Sequence, residues 1–272
     1  MSTGLGIALV LLANVVAVAV MLVVRRRAPA GGYYQDMQQA GWVYSVAGTS
    51  FAVILAFVFV LAFQAFDRAR TSASSEAEAT TSLFYTAEIL PAAERDALQG
   101  EIVCYARAVI ALEWPAMRDG RASDVVQGWV LRLDRTFQRA PASSDAKVAA
   151  GYGAWLSTMQ ERQDGRQGRL DESRPFIPPL VWIFLLAGGV LVTGFVWLFA
   201  DSTERTFAQA ALPLGVTTVI VSGLVLVAYF DAPYRDTPGA VQPTAMERTL
   251  ALVSGERDVG RRAPCDADGH PT

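Results

Sequence analysis

Histidine is almost missing from this sequence, since His270 is the only one. A single histidine in a polar tail provides neither a histidine-rich metal site nor a well-placed general base. The sequence also lacks a Walker-type phosphate loop, a GxGxxG segment after a strand and a CxxC pair. We therefore predict a protein that is not an enzyme and that uses no cofactor and no metal ion.

Charged residues are scarce and unevenly placed. They make up 18% of the chain, the net charge is −3, and Lys147 is the only lysine. This slightly acidic balance lacks the clustered basic patch of nucleic-acid-binding proteins, so we expect no nucleic-acid partner. Glu76 and Glu78 point to different faces of a predicted helix, and we expect both carboxylates to be solvated rather than catalytic.

Four long runs of residues carry no charge. They cover residues 4–24, 43–66, 177–200 and 212–230, and each has about the 20 residues that a helix needs to cross a bilayer. Backbone groups in lipid must be bonded within the segment, which excludes open strands. The sequence therefore predicts an all-α integral membrane protein of the lipid bilayer, with two pairs of transmembrane helices flanking a helical soluble domain.

The soluble domain is predicted over residues 67–175. The helix of the second run should continue until Pro91, where a new helix begins. Apolar side chains at three- and four-residue spacing indicate the core faces of this helix and two more. They are Leu98, Ile102, Tyr105, Val109 and Leu112; Val126, Trp129, Val130, Leu133 and Phe137; and Val148, Tyr152, Trp155, Leu156 and Met159. The tail, residues 231–272, has a possible short helix at 244–253 and is predicted to be disordered after residue 260.

Three arginines set the predicted topology. Arg25, Arg26 and Arg27 follow the first run, and positive charge prefers the cytoplasmic side. Four crossings then place the amino terminus, the soluble domain and the tail outside the cytoplasm, in a multi-pass protein of the cell membrane. Arg68 and Arg70 after the second run oppose this assignment, but the first helix usually dominates.

The two cysteines, Cys104 and Cys265, are separated by an even number of crossings and therefore share one side of the membrane. They could pair if that side is oxidising. The favoured interpretation leaves them unpaired, because Cys104 fits an amphipathic helix as a small apolar residue and Cys265 lies in the predicted disordered tail. Sequence alone does not decide this, since pairing depends on the distance between the Cβ atoms.

Small residues recur at every fourth position along the second run and its continuation. This helix-packing face consists of Gly48, Ala52, Ala56, Ala65, Ala69, Ala73 and Ala77. Small residues let a second helix approach closely in a membrane. The favoured interpretation is packing within the chain, and the alternative is a self-association face or a narrow pore wall.

The four runs contain no ionisable residue away from their ends, which disfavours ion-coupled transport. Their hydroxyl groups either satisfy carbonyls of their own helix or line a weakly polar conduction path. From helical phase, one face of the second run is the candidate pore lining. Its residues are Ser45, Thr49, Ala52 and Ala56, with Phe59 and Phe63 as a hydrophobic neck.

Arg162, Arg166 and Arg169 share one helical face just before the third run. Their ordinary role is ion pairing with acidic neighbours, and these are Glu161, Asp164, Asp171 and Glu172. The alternative is a positive collar that concentrates anions at a pore mouth of an oligomer.

Several stretches resemble the bestrophin-like membrane protein family, a domain of unknown function. In chain order they are VILAFVFVLAFQAFDRAR, SSEAEATTSLFYTAEILP, YARAVIALEW, RPFIPPLVWIFLLAGG and YFDAPYRDTPGAVQP. The resemblance implies two helix pairs around a helical insert and offers no catalytic residues to carry over. Bestrophins themselves form pentameric anion channels with a large cytosolic region, which is opposite to the topology predicted here, and the sequence has no dense acidic cluster for calcium.

These observations favour an oligomeric passive ion channel. We expect a homo-oligomer that conducts inorganic ions, with anions such as chloride favoured over cations. The alternative is a non-conducting membrane-anchored module whose helical domain binds a partner or senses the envelope.

Overall fold

The computed structural model describes residues 3–34, 36–140, 146–256 and 262–272, without the side chain of residue 147. Over these residues the chain is helical and contains no β-strand, which confirms the all-α prediction. The helices are α1 (Thr3–Arg27), α2 (Met37–Thr86), α3 (Ala92–Ala108), α4 (Trp114–Met117), α5 (Asp124–Gln138), α6 (Ala146–Asp171), α7 (Pro179–Trp197), α8 (Thr206–Phe230) and α9 (Thr244–Glu256).

The chain divides into two compact units. The membrane unit comprises the described residues up to Ala65 together with Pro175–Ala232, and the helical domain comprises Phe66–Arg174 with the described residues from Pro233 onward. The helix α2 contributes its first part to the membrane unit and its second part to the helical domain. The predicted tail is therefore part of the helical domain and not a separate segment.

Among the described residues, four helices are long and apolar enough to cross a membrane: α1, α2, α7 and α8. Their ends differ from the prediction. The helix α7 is shorter than residues 177–200, because Pro178 caps its start and Pro179 fills the first helical position, where the missing N–H costs nothing. The helix α8 begins at Thr206, before the run that starts at residue 212.

Large apolar side chains remain uncovered on the outer faces of this unit. Leu180 is 75% exposed, Val219 is 72% exposed and Phe207 is 86% exposed. An apolar surface of this extent is stable against lipid tails rather than water. The four helices therefore place the protein in a bilayer.

Asp231, directly after α8, fixes the start of α7. Its Oδ1 accepts hydrogen bonds from the backbone N–H groups of Phe176 at 2.8 Å and Ile177 at 2.9 Å. Its Oδ2 accepts a longer bond from Trp182 Nε1 at 3.4 Å. One carboxylate therefore satisfies two backbone donors of the segment that leads into α7.

The helical domain packs the second part of α2 with α3, α4, α5, α6 and α9 around one apolar core. Trp129, Trp155 and Tyr105 lie fully buried in it. The predicted core faces of α3, α5 and α6 are confirmed with one exception, since Leu156 is 60% exposed. A π-helical turn, Val109–Glu113, joins α3 to α4 and carries a buried acidic residue at its end.

The predicted disorder after residue 260 is wrong for the residues that the structure describes, 262–272. Cys104 and Cys265 form a disulfide, which corrects the favoured interpretation of two unpaired thiols. Trp129 Nε1 donates to the carbonyl of Gly269 at 2.7 Å. Gly269 has φ +87°, and a Cβ there would collide with the backbone nitrogen of Ala108, so only glycine fits. Residues 257–261 lie outside the described part of the chain.

Candidate functional site

One face of α2 within the membrane unit is uncovered by the rest of the chain. Five of the predicted pore-lining residues are exposed, namely Ser45, Thr49, Ala52, Ala56 and Phe63. The opposite side of the helix is covered, because Phe51 is buried with Leu185 and Val192 of α7. The stripe of small and hydroxyl side chains therefore faces away from the packing contacts of its own chain.

The two rings of the predicted neck behave differently from the rest of the stripe. Phe59 is half-buried, and its ring centroid lies 5.7 Å from that of Phe230 at the end of α8. The Phe63 centroid lies 5.5 Å from the same ring. These aromatic contacts hold both rings at the edge of the uncovered face, and their role as a pore neck stays a prediction.

The small residues of α2 fall into two groups. Ala65, Ala69, Ala73 and Ala77 are buried, whereas the exposed Ala52 and Ala56 lie in the membrane part with half-buried Gly48. Packing within the chain therefore accounts for Ala65, Ala69, Ala73 and Ala77, whereas Ala52 and Ala56 remain exposed.

A second candidate site lies in the helical domain, where α6 places three arginines against two buried acids. Arg169 pairs with Glu76 through Nε and Nη2, and its Nη2 also lies 2.6 Å from Glu113 Oε2. Arg166 Nη2 donates to Glu113 Oε1 at 2.6 Å. The Tyr105 hydroxyl donates to Glu76 Oε1. These groups form one buried network of charge-assisted hydrogen bonds.

Two glycines of α6 bring this network together. A Cβ at Gly165 would lie 2.7 Å from the backbone nitrogen of Glu76, and a Cβ at Gly168 would lie 2.5 Å from Ser72 Oγ. At Gly165 the backbone of α6 therefore touches that of α2, and at Gly168 it touches the Ser72 side chain of α2. This close approach lets the Arg169 side chain reach Glu76, which is 93 residues away in sequence.

The network determines the protonation states of Glu113 and Tyr105. Burial alone raises the pKa of Glu113, but the charge of Arg169 and the hydrogen bonds from Arg166 outweigh it and hold that pKa below its usual range. Burial, reinforced by the Glu76 carboxylate, raises the pKa of the Tyr105 hydroxyl. Glu113 is therefore ionised and Tyr105 is a neutral hydrogen-bond donor at neutral pH.

The positions of the three arginines correct two predictions. Arg162 and Arg169 are 0% exposed and Arg166 is 8% exposed, so their guanidinium groups do not form an open positive collar. Arg166 and Arg169 pair with Glu113 and Glu76 rather than with acids of their own helix. Glu76 is accordingly buried and not solvated. The helical spacing correctly put the arginines on one face, and the packing of that face against α2 determines their partners.

Arg162 differs from its two neighbours. Its three guanidinium nitrogens are buried and have no hydrogen-bond partner among the described residues. Its Cζ lies 4.9 Å from the centre of the Tyr105 ring, which provides a cation–π contact. Arginine stays charged in proteins, so a full positive charge is held here without a carboxylate.

A cavity of about 370 Å³ adjoins these arginines, between α5, α6 and the segment that joins α4 to α5. Its wall includes Arg162, Arg166 and Gln127. Arg121, in the segment that joins α4 to α5, and Arg174, just after α6, also line it. Asp171 is the one carboxylate among its described lining residues. No local sequence pattern indicates this cavity, because it is formed by residues from three separate segments.

No group of acidic, cysteine and histidine residues that could hold a metal ion occurs among the described residues. The membrane unit has an uncovered, weakly polar face on α2. The helical domain holds a buried cluster of positive charge.

Comparison with known proteins identifies the fold and the family of this chain. A bacterial bestrophin homologue from Klebsiella pneumoniae, crystallised as a variant, superposes with a TM-score of 0.70 at 15% identity, over 91% of this chain and 99% of that chain. Another variant of a bestrophin homologue from that organism gives 0.64 at 16% identity, over 92% and 98%. These likenesses show the fold. No curated protein matches the chain. The model of the Bestrophin-like domain matches residues 10–246, and the protein therefore belongs to the bestrophin-like family.

Proposed function

We propose that this protein is an oligomeric passive ion channel of the cell membrane, with inorganic anions favoured over cations. The observation that carries the proposal is the uncovered stripe of α2, where Ser45, Thr49, Ala52 and Ala56 are exposed within the membrane unit. Hydroxyl groups and small side chains are suited to a narrow, weakly polar path, and aromatic rings to a hydrophobic constriction.

Polar groups elsewhere in the membrane unit support this assignment by contrast. Asn14 of α1 is buried, donates to the carbonyl of Val10 at 2.9 Å and accepts from Thr218 Oγ1 at 3.1 Å. It therefore acts as internal packing, as expected for a polar group that must avoid lipid. Ser45 and Thr49 instead face outward, where a lipid-facing helix would carry larger apolar side chains.

The oligomer follows from the geometry of the stripe. A single chain leaves this face open, so a closed path requires copies of the chain arranged around an axis. Family membership supports such an assembly, since bestrophins form pentameric anion channels. The described crossing segments also hold no carboxylate, lysine or arginine away from their ends, which supports passive rather than ion-coupled conduction.

The disulfide supports the predicted sidedness. Disulfides persist in oxidising compartments and are rare in the cytosol, so Cys104–Cys265 favours a helical domain outside the cytoplasm. Arg25, Arg26 and Arg27 at the end of α1 favour the opposite, cytoplasmic side for the loop that follows. Two independent features therefore point to the same orientation.

A flux assay in liposomes tests the channel. Ala52→Trp puts a large ring into the proposed path and is expected to reduce ion flux roughly tenfold or more. Val46→Trp is the matched control, because Val46 is 67% exposed and lies about 120° around the same helix. Equal flux in the two variants would remove the stripe from the path.

The mass of the detergent-solubilised particle, with bound detergent subtracted, tests the assembly. A uniform ring of several chains is expected, because a central path needs a closed ring. A monomer would contradict the proposal, since four helices with one open face enclose no path.

A further inference from the structure

We propose that the cavity between α5 and α6 of the helical domain binds a small oxyanion, such as phosphate or a short carboxylate. The juxtaposition that points to it is a buried, unpaired Arg162 beside a cavity whose wall also holds Arg166 and Gln127. The proposal concerns the helical domain alone and holds whether or not the membrane unit conducts ions.

The charges of the buried network do not balance. Glu76 and Glu113 supply two negative charges, and both belong to ion pairs with Arg166 and Arg169. Arg162 adds a third positive charge with no ion pair among the described residues. One unit of positive charge therefore remains in an interior where charge is costly unless it is compensated.

The cation–π contact with Tyr105 compensates Arg162 only in part. A ring quadrupole supplies attraction but accepts no hydrogen bond from guanidinium edges, which remain without acceptors. The potential of this charge extends into the adjoining cavity, since screening by the protein interior is weaker than by water. An anion in the cavity would compensate this charge through space, without direct contact with the buried guanidinium.

The cavity wall offers hydrogen-bond donors for such an anion. Arg166 Nη1 donates to Gln127 Oε1 at 2.7 Å, and arginine has no acceptor, so the amide of Gln127 is oriented with its NH₂ group directed away from Arg166. Gln163 and Gln167 add further amides, and Arg121 and Arg174 add positive charge. Asp171 opposes an anion at one edge of the wall, and the arginines of the wall outnumber it.

Oxygen acceptors suit this wall better than a simple halide does. Planar guanidinium groups and amides bind carboxylate and phosphate oxygens with directed bonds. A volume of about 370 Å³ is large enough for phosphate or a short carboxylate with associated water.

Calorimetric titration of the full chain in detergent, at constant ionic strength, tests the proposal. Inorganic phosphate and succinate are the two probes, and they separate a phosphate ligand from a carboxylate ligand. We expect saturable binding of at least one probe, at one site per chain. Arg162→Met removes the charge but keeps most of the volume, and is expected to raise the dissociation constant about tenfold or more. Arg162→Lys keeps the charge and is expected to weaken binding less.

Arg132→Gln is the matched control. Arg132 also lies over an indole ring, 4.8 Å from the centre of Trp129, but it is exposed and is not part of the cavity wall. Unchanged affinity in Arg132→Gln with weakened affinity in Arg162→Met supports the site. Absence of saturable binding for both probes, or equal affinity in Arg162→Met and the natural sequence, overturns it. Flux is not measured here, so failure of this site is distinct from failure of the channel.

Discussion

Replacing Arg169 by methionine removes the ion-pair partner of Glu76 and one of the two ion-pair partners of Glu113. The side chains of Arg169, Glu76 and Glu113 are each 0% exposed. Removing one partner from a fully buried ion pair leaves an uncompensated charge, which costs about 3–5 kcal/mol. Because Arg169 serves two acids at once, we expect Arg169→Met to lower the free energy of unfolding of the helical domain by about 5 kcal/mol, the upper end of that range.

Arg68→Met is the matched control for this change. Arg68 Nε lies 2.6 Å from Glu172 Oε1, a distance like those in the buried network, but the Arg68 side chain is 49% exposed. An exposed pair contributes about 0–1 kcal/mol, because water screens the attraction. Urea titration of the full chain in detergent, read by proteolytic cleavage of the helical domain, gives both free energies. Equal losses in the two variants would refute the reasoning, since the two pairs differ mainly in burial.

The double variant Glu76→Gln with Arg169→Met separates charge from packing. If the cost of Arg169→Met comes from the unpaired carboxylate, neutralising Glu76 recovers part of it, and the two losses are less than additive. Additive losses would indicate that the methionine simply packs badly.

Three more predictions concern the helical domain. The pKa of Glu113 is lowered in the folded domain, so its contribution to the free energy of unfolding is present at neutral pH and is lost as the pH falls below the ordinary value of 4.5. The urea midpoint should drop in that range, and a constant midpoint would contradict the assignment. Reducing the Cys104–Cys265 disulfide opens a loop of 161 residues and should lower the free energy of unfolding of the helical domain by about 5 kcal/mol on chain-entropy grounds. Mass spectrometry after alkylation, with and without reductant, first shows whether the bond forms. Gly165→Val should destabilise the domain by about 1–3 kcal/mol because the added atoms meet the backbone of α2, whereas Gly153→Val, at an open position, should cost less by the same titration.

The membrane unit was largely predictable because its physical requirement is local. A helix that crosses lipid must be long, apolar and uncharged, and each of these properties is visible in a single stretch of sequence. The ends of α7 and α8 were less predictable, since Pro178 and Pro179 shorten one helix and the first residues of the other extend into a polar loop. The length and hydropathy of a run do not show at which residue its helix begins or ends.

The buried network of the helical domain was not predictable in the same way. Spacing put Arg162, Arg166 and Arg169 on one face, but nothing local distinguishes a buried face of arginines from a solvated one. Gly165 and Gly168 between them were the available signal, because small residues on the same helix indicate a close neighbour. The π-helical turn that ends at Glu113 gave no comparable signal, since its backbone is set by tertiary packing.

The tail was misjudged for a related reason. Residues 262–272 are mostly polar and include two prolines and one glycine, a composition typical of disorder. They are held instead by a few specific contacts: the disulfide to Cys104, the Trp129 bond to Gly269, and a backbone conformation that needs glycine. Composition averages over residues, whereas a disulfide and one buried indole can order a segment that has little apolar surface.

The small residues of α2 share one spacing but lie in two different environments. Ala69, Ala73 and Ala77 are buried in the core of the helical domain, where Tyr234 donates to the carbonyl of Ala69 and Thr249 to that of Ala77. Their spacing continues that of Ala52 and Ala56, which no described part of the chain covers. Alanines four residues apart suit either close packing against another helix or the wall of a narrow path. The covered alanines account for the fold of one chain, and the uncovered ones belong to the face that we propose lines the path in an oligomer.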